Sequence, residues 1–267
     1  MSYVDKKFLK FRFGTINGLL LGVFAIFGAF LFEGGSFKAL FLFPALIIVF
    51  GGTFSAIIIG FGFENFRKIF KLIRISYFSH NYNLIKLINN FVEFSIITRK
   101  EGLLTIEKKI SEVDYFFPRK ILRYLMDGTD AEGIEKLAAL EMKALQDRHF
   151  MNILIFSKMG GYAPTMGIIG TVMGLIMTLA NAGAEPSYLI KNIATAFIAT
   201  LWGVFSANIL WLPISDKLKK CHLDEKNMME ISLEGVLALL SGEIPSIVKA
   251  RLVSMLPQKN QIEMLNM

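Results

Sequence analysis

Between Gly160 and Pro213 the chain holds two apolar runs with no charged residue in either, Gly160 to Gly183 and Ile193 to Leu212. Each supplies the about 20 residues that carry a helix across the hydrocarbon core of a bilayer. The link between them is short, so the two runs predict a tight membrane hairpin. Their surfaces are not uniformly bulky. Gly167, Thr171, Gly174 and Thr178 recur at helical spacing in the first run, as do Ala196, Thr200, Gly203 and Ala207 in the second. Each helix thus carries a stripe of small and hydroxyl side chains. In a membrane such a stripe either admits another backbone at close range or lines a narrow polar path.

The remainder of the chain fits an integral membrane protein with a substantial soluble part. It is 54% hydrophobic over 267 residues, with a mean hydropathy of +0.51, too apolar for an ordinary soluble domain. The net charge of +7 would suggest nucleic acid in a soluble protein. Here Lys and Arg mark the cytoplasmic side of the membrane, and no nucleic-acid partner is expected. Cys221 is the only cysteine, which excludes an internal disulfide. It sits beside His222 without further ligands nearby, so no metal site is expected. His80, His149 and His222 lack metal or triad spacing. The glycines from Gly160 to Gly174 lie inside a span and match no nucleotide fingerprint. Neither enzyme activity nor a cofactor is expected.

Taken in order, the chain predicts an all-α membrane protein with four spans. Residues 1–63 hold a basic start and two of them: Gly14 to Phe32, then Ala39 to Phe63, where Pro44 and Gly51-Gly52 predict a bend. Residues 64–158 form a helical cytoplasmic insertion. An apolar stripe of Phe66, Ile69, Phe70 and Ile73 continues out of the second span. Leu84, Leu87, Ile88 and Phe91 mark a further helix, and Leu103, Leu104, Ile106 and Ile110 another. Pro118 and Asp127-Gly128 punctuate the insertion, and an amphipathic helix from Asp130 to Phe150 leads into the third span. Residues 159–213 are the hairpin, and 214–267 form a helical tail. No alternation of any length predicts a strand. All Lys and Arg residues except Lys38 and Lys191, in the two short turns, lie before the first span, in the insertion or in the tail. Both termini and the insertion are therefore expected in the cytoplasm.

None of the four spans contains Asp, Glu, Lys, Arg or His. An ion at membrane depth needs an ionisable partner. The chain alone therefore cannot carry protons; either it conducts nothing, or another chain brings the acid. The small-residue stripes, with Gly167, Gly170, Gly174 and Gly203, are surfaces for helix packing, including packing by such a foreign helix. Thr171, Thr195 and Thr200 are hydroxyls that could meet an ion, a water or a partner's carboxylate. The alternative for each is a bond back to a carbonyl one turn earlier. Pro164 and Pro213 bracket the hairpin. They are either ordinary proline positions, with Pro164 in the first turns of its helix and Pro213 at a kink, or hinges that couple membrane events to the cytoplasmic domain. Arg99 through Lys109 is densely charged. Such a run is a solvated helix face or a partner-docking patch. Arg99 and Glu107 share a side only if the helix passes Gly102 unbroken.

Gly160-Gly161-Tyr162-Ala163-Pro164-Thr165-Met166-Gly167-Ile168-Ile169-Gly170-Thr171-Val172-Met173-Gly174-Leu175 resembles the third-helix motif of flagellar motor stator A subunits, the MotA family. Ala199-Thr200-Leu201-Trp202-Gly203, with Asn208 and Pro213-Ile214-Ser215-Asp216-Lys217-Leu218, is similar to the family's fourth helix and its exit. Arg99, Gly102 and Glu107 match its cytoplasmic pattern, Gly51-Gly52-Thr53 its second helix, and Gly235 to Leu252 its tail. The resemblance implies a bacterial inner-membrane subunit in a ring of five copies around two B subunits of the MotB type. The B helix would supply the membrane aspartate, and the ring would push on the rotor switch protein FliG. It implies that Thr171, Thr200, Thr195 and Ala199 flank the ion path, that Pro164 and Pro213 couple, and that Arg99 and Glu107 touch the rotor. Ala199-Thr200 resembles proton-type rather than sodium-type members. The alternatives are a sodium-driven stator, a TolQ/ExbB-like energiser with three spans, or a scaffold that conducts nothing.

Overall fold

The computed structural model describes residues 9–11, 13–80, 82–181, 183 and 185–265. Helices dominate, but two three-residue strands, β1 (Leu9–Phe11) and β2 (Phe78–His80), pair with each other. Three residues are too few for alternation to show in the sequence, and the architecture remains all-α. The chain divides into two compact units, one of Lys10–Ser79 with His149–Cys221, the other of His80–Arg148 with the residues from His222 onward. The division does not follow the edges of the apolar runs, because residues 64–79 pack with the spans.

The first unit contains the apolar helices. Among the described residues four helices are long and apolar enough to cross a membrane: Gly14–Phe32, Phe43–Phe61, Ala131–Ala180 and Pro186–Leu240. The first belongs to α1 (Phe13–Phe32). The second is not the single bent span that Ala39 to Phe63 suggests. A short α2 (Phe37–Leu40) stops, and α3 (Phe43–Leu46) begins with Pro44 in its first turn, where a missing N–H costs nothing. Pro44 thus opens the span instead of bending it. A π turn (Ile47–Gly51) then leads into α4 (Gly52–Phe61). Gly52 leaves room for Met166, whose sulfur lies 2.5 Å from where a Cβ would stand.

The stripe expected to run on past the second span is interrupted. Gly62 has φ +79, a conformation open to glycine, and a new helix α5 (Phe63–Tyr77) starts after it. Its buried face is Ile69, Leu72 and Ser76, while Phe70 is exposed. Ile69 and Leu72 join Ile57, Phe156, Met159, Trp211 and Leu218 in one apolar cluster.

The second unit has a conventional helical core. In α6 (Leu84–Glu101) the residues Leu87, Ile88, Phe91 and Phe94 are buried. Asn83 caps its start by accepting from the Lys86 amide at 3.0 Å. Gly102, with φ +89, ends it. A 3-10 turn (Leu103–Ile106) and one helical turn, α7 (Glu107–Ile110), follow. Ile106 and Ile110 are buried, but Leu104 points outward. Pro118 sits in the first turn of α8 (Phe116–Met126), and Gly128 closes the turn after it.

Asp130 accepts from the Gly133 amide at 3.0 Å at the head of α9 (Ala131–Ala180), which runs unbroken for 50 residues. After a short link come α10 (Pro186–Phe205), a π turn (Ser206–Trp211), α11 (Leu212–Leu240), α12 (Pro245–Ser254) and α13 (Gln258–Leu265). Lys191 lies within α10 and not in the link.

Candidate functional site

The two small-residue stripes face each other. A Cβ on Gly167 would lie 2.9 Å from the Ala199 carbonyl oxygen and 3.1 Å from the Thr200 Cα. One on Gly203 would lie 2.7 Å from the Ala163 oxygen and 3.2 Å from the Pro164 Cα. Gly170 and Gly174 receive the methyl groups of Ala199 and Ala196, at 2.6 Å and 2.7 Å from the same construction. Two apolar helices have no hydrophobic drive to associate in lipid; close backbone contact through small residues takes its place. α9 and α10 thus pack on each other through the stripes, which leaves Thr171, Gly174, Thr178 and Thr200 half-buried. Exposed on these helices are bulky side chains, for example Val172, Met173 and Ile176 on α9 and Phe197 and Val204 on α10, together with the small residues Gly161, Thr165 and Ala194.

One pair of hydroxyls stands in this seam. Thr171 Oγ1 lies 3.1 Å from the Gly167 carbonyl oxygen, 3.0 Å from the Ala196 carbonyl oxygen and 2.5 Å from Thr200 Oγ1. Its single proton satisfies one acceptor at a time, while Thr200 can donate to it. Thr171 therefore makes the local back-bond and also reaches across the hairpin. Thr195 does only the former, donating to the Lys191 oxygen at 2.9 Å. Ala199, 1% exposed, fills the hollow at Gly170 and adds no oxygen.

Pro164 lies deep inside α9, far from its first turns, contrary to the sequence reading. Its ring removes the N–H that the Gly160 carbonyl would accept. Pro213 is the second residue of α11, directly after the π turn, where the Leu212 amide already bonds back five residues to the Ala207 oxygen. A π turn beside a proline relieves the clash with the carbonyl four residues earlier. Leu212 packs over Gly160, its Cδ2 2.4 Å from a Cβ placed there. The two prolines thus flank one level of the hairpin.

Sequence reasoning missed three polar groups of this unit. The Asn192 amide nitrogen is buried without a hydrogen-bond partner; an apolar run counted from Ile193 leaves it out. Ser206 is buried and donates to the Gly203 oxygen at 3.2 Å. Trp202 Nε1 donates at 2.8 Å to the Leu40 oxygen, which the break after α2 leaves without a helical donor. The Trp202 bond carries no spacing signal, since its partner is set by a tertiary contact at a helix break.

In the second unit Arg99 and Glu107 are both exposed. They do not share a helix face: Arg99 is in the last turn of α6 and Glu107 opens α7. Neither makes an ion pair among the described residues, whereas nearby Lys109 is paired with Glu93 and Lys86 with Asp114 at 2.7 Å. These hydrogen bonds hold both lysines above their ordinary pKa. No three His, Cys, Asp or Glu residues converge on a possible metal position among the described residues.

The model of the MotA/TolQ/ExbB proton channel family matches residues 108–231. Motility protein A of Bacillus subtilis (strain 168) is 36% identical over 251 residues, covering 93% of this chain and 92% of the relative. The chain belongs to the Motility protein A family. Another member, from Treponema pallidum (strain Nichols), is 33% identical over 92% of this chain and 94% of its own length. The fold is also that of a solved member. The flagellar MotAB stator complex from Bacillus subtilis superposes with a TM-score of 0.86 at 35% identity, covering 93% of this chain and 97% of that one. Among Motility protein A features, the sequence resemblance of Gly160 to Leu175 falls on the seam-forming half of α9. That of Ala199 to Gly203 falls on the part of α10 facing it.

Proposed function

We propose that this chain is the A subunit of a bacterial flagellar motor stator. It acts in the inner membrane with a MotB-type B subunit, as a non-enzymatic part of an ion channel. Five A chains surround two B chains, with both A termini in the cytoplasm. The observation that carries this reading is the Thr171–Thr200 pair, set between two runs, Gly160 to Gly183 and Ile193 to Leu212, that hold no Asp, Glu, Lys, Arg or His. The pair offers oxygens to a proton or a water but cannot itself take up a proton at neutral pH. A carboxyl from another chain completes the path.

The ion is a proton. Sodium needs several oxygens to replace its hydration shell, and at this level Ala199 offers a methyl group where a second hydroxyl would stand. The exposed, unpaired charges of Arg99 and Glu107 make them the rotor contact, with FliG as the partner. Pro164 and Pro213 adjust the hairpin as the ion passes, and that movement turns the ring.

The experiment is co-expression with a B subunit in cells lacking their own stator, with swimming followed as external sodium is withdrawn. Speed is expected to be unaffected. Cells that stop on sodium removal would overturn the choice of ion, and cells that never swim would overturn the assignment as a stator subunit.

A further inference from the structure

One side chain holds the turn between α11 and α12. Arg251, on α12, donates to Glu234 Oε2 from Nε at 2.9 Å and from Nη2 at 2.6 Å, and to Glu243 Oε1 from Nη1 at 2.7 Å. Glu234 belongs to the last turns of α11. Glu243 follows Gly242, which closes that helix with φ +64. A single planar guanidinium therefore ties one side of the turn to the other, a geometry that lysine cannot reproduce. The second carboxylate oxygen of Glu243 is buried with no partner. Among the described residues Arg251 is the one cation paired with this carboxylate, and without it a partly buried charge would stand alone.

The last turns of α11 and the turn after it grip α6 at two points. The Phe91 ring fills the place where a Cβ on Gly235 would lie, 2.6 Å away. Ser95 Oγ donates to the Glu243 carbonyl oxygen at 3.0 Å. Phe91, Ser95 and Arg99 succeed one another at four-residue intervals along one face of α6. The end of α11 meets the first and the turn holds the second. The third is the exposed charge one helical turn further on, just before α6 ends at Gly102.

We propose that Arg251 is a positioning residue for Arg99: by clamping Glu234 and Glu243 it sets where the last turn of α6 presents its charge to the rotor. This rests on the reading of Arg99 as a rotor contact. The clamp acts through Glu243 and Ser95 and does not itself touch the partner.

The test uses full-length chains co-expressed with the B subunit, in tethered or bead-loaded motors. There the height of each torque step reports force per stator, and the number of steps reports assembly. Arg251→Gln is expected to lower step height about threefold, a size usual for coupled neighbours, with the number of steps unchanged. Arg251→Lys should recover part of the loss and Glu243→Gln should repeat it. In an Arg99→Ala background, Arg251→Gln should cause no further loss. Full step height in Arg251→Gln would overturn the proposal, as would an equal further loss in the Arg99→Ala background or a loss confined to the number of steps. If Arg99→Ala alone leaves step height intact, the rotor-contact reading fails and this proposal falls with it. If Arg99→Ala lowers the step and Arg251→Gln does not, this proposal alone fails.

Discussion

The hairpin seam and the core of the second unit are both helix-on-helix packing, yet they are made from opposite residues. The seam is Gly167, Gly170, Gly174, Ala196, Ala199 and Gly203, with hydroxyls bonded to backbone and to each other. The core is Leu87, Phe91, Ile121, Leu122 and Leu125, all 2% exposed or less. Water expels apolar side chains and so drives the core together. Lipid does not, and the seam closes instead through short backbone distances and hydrogen bonds. The two regions should therefore fail in opposite ways. Added atoms break the seam; deleted atoms break the core.

The largest effect is expected from Gly203→Leu. The side chain meets the Ala163 oxygen and the Pro164 Cα, both backbone, which cannot give way. Motility should vanish, with the complex absent from detergent-solubilised membranes. Recovery of a normal complex would show that the helices can move apart freely. Phe91→Ala comes next. It should lower the unfolding free energy of the second unit by about 3–5 kcal/mol, read by thermal or denaturant unfolding of the complex, with the spans still inserted. Reversing the two exposed charges proposed to meet the rotor, Arg99→Glu with Glu107→Lys, touches neither packing mode. It should reduce torque several-fold while membrane assembly stays normal, as judged by co-purification with the B subunit.

The smallest effect concerns Glu225, whose carboxyl burial pushes above its ordinary pKa, with Arg148 opposing. A raised carboxyl pKa means that the folded chain holds this proton more tightly than the unfolded one. Stability at this site is then full below the ordinary carboxyl pKa and declines as pH rises through the raised value. Glu225→Gln should remove that decline and stabilise the complex at neutral pH by less than about 1 kcal/mol. A steeper decline with pH in the variant would contradict the sign.

Much of this comparison is legible in the chain itself. Two uncharged runs joined by a short link require a hairpin, and the spacing of Gly167, Thr171 and Gly174 shows which residues share a face. Spacing does not say what that face meets, so a stripe covered by its own hairpin reads the same as one awaiting a partner. Pro164 is misread for a related reason. A proline usually marks a helix start, but here the helix continues because only one backbone bond is lost and neighbouring helices stabilise the segment. Gly62 and Gly102 break helices where the apolar pattern alone would carry them on. The Arg251 clamp leaves no local pattern, since its partners meet only once the α11–α12 turn has formed.

The central claim is that the Thr171–Thr200 seam is half of a proton path whose acid lies on another chain. Proton uptake by vesicles holding this chain alone, this chain with a B subunit, or its Thr200→Val variant with a B subunit tests it most directly. The chain alone should conduct nothing, the pair should conduct, and Thr200→Val should conduct about tenfold less, the equivalent of one hydrogen bond lost along the path, at equal assembly. Uptake by the chain alone, or undiminished uptake by an assembled Thr200→Val complex, would contradict it.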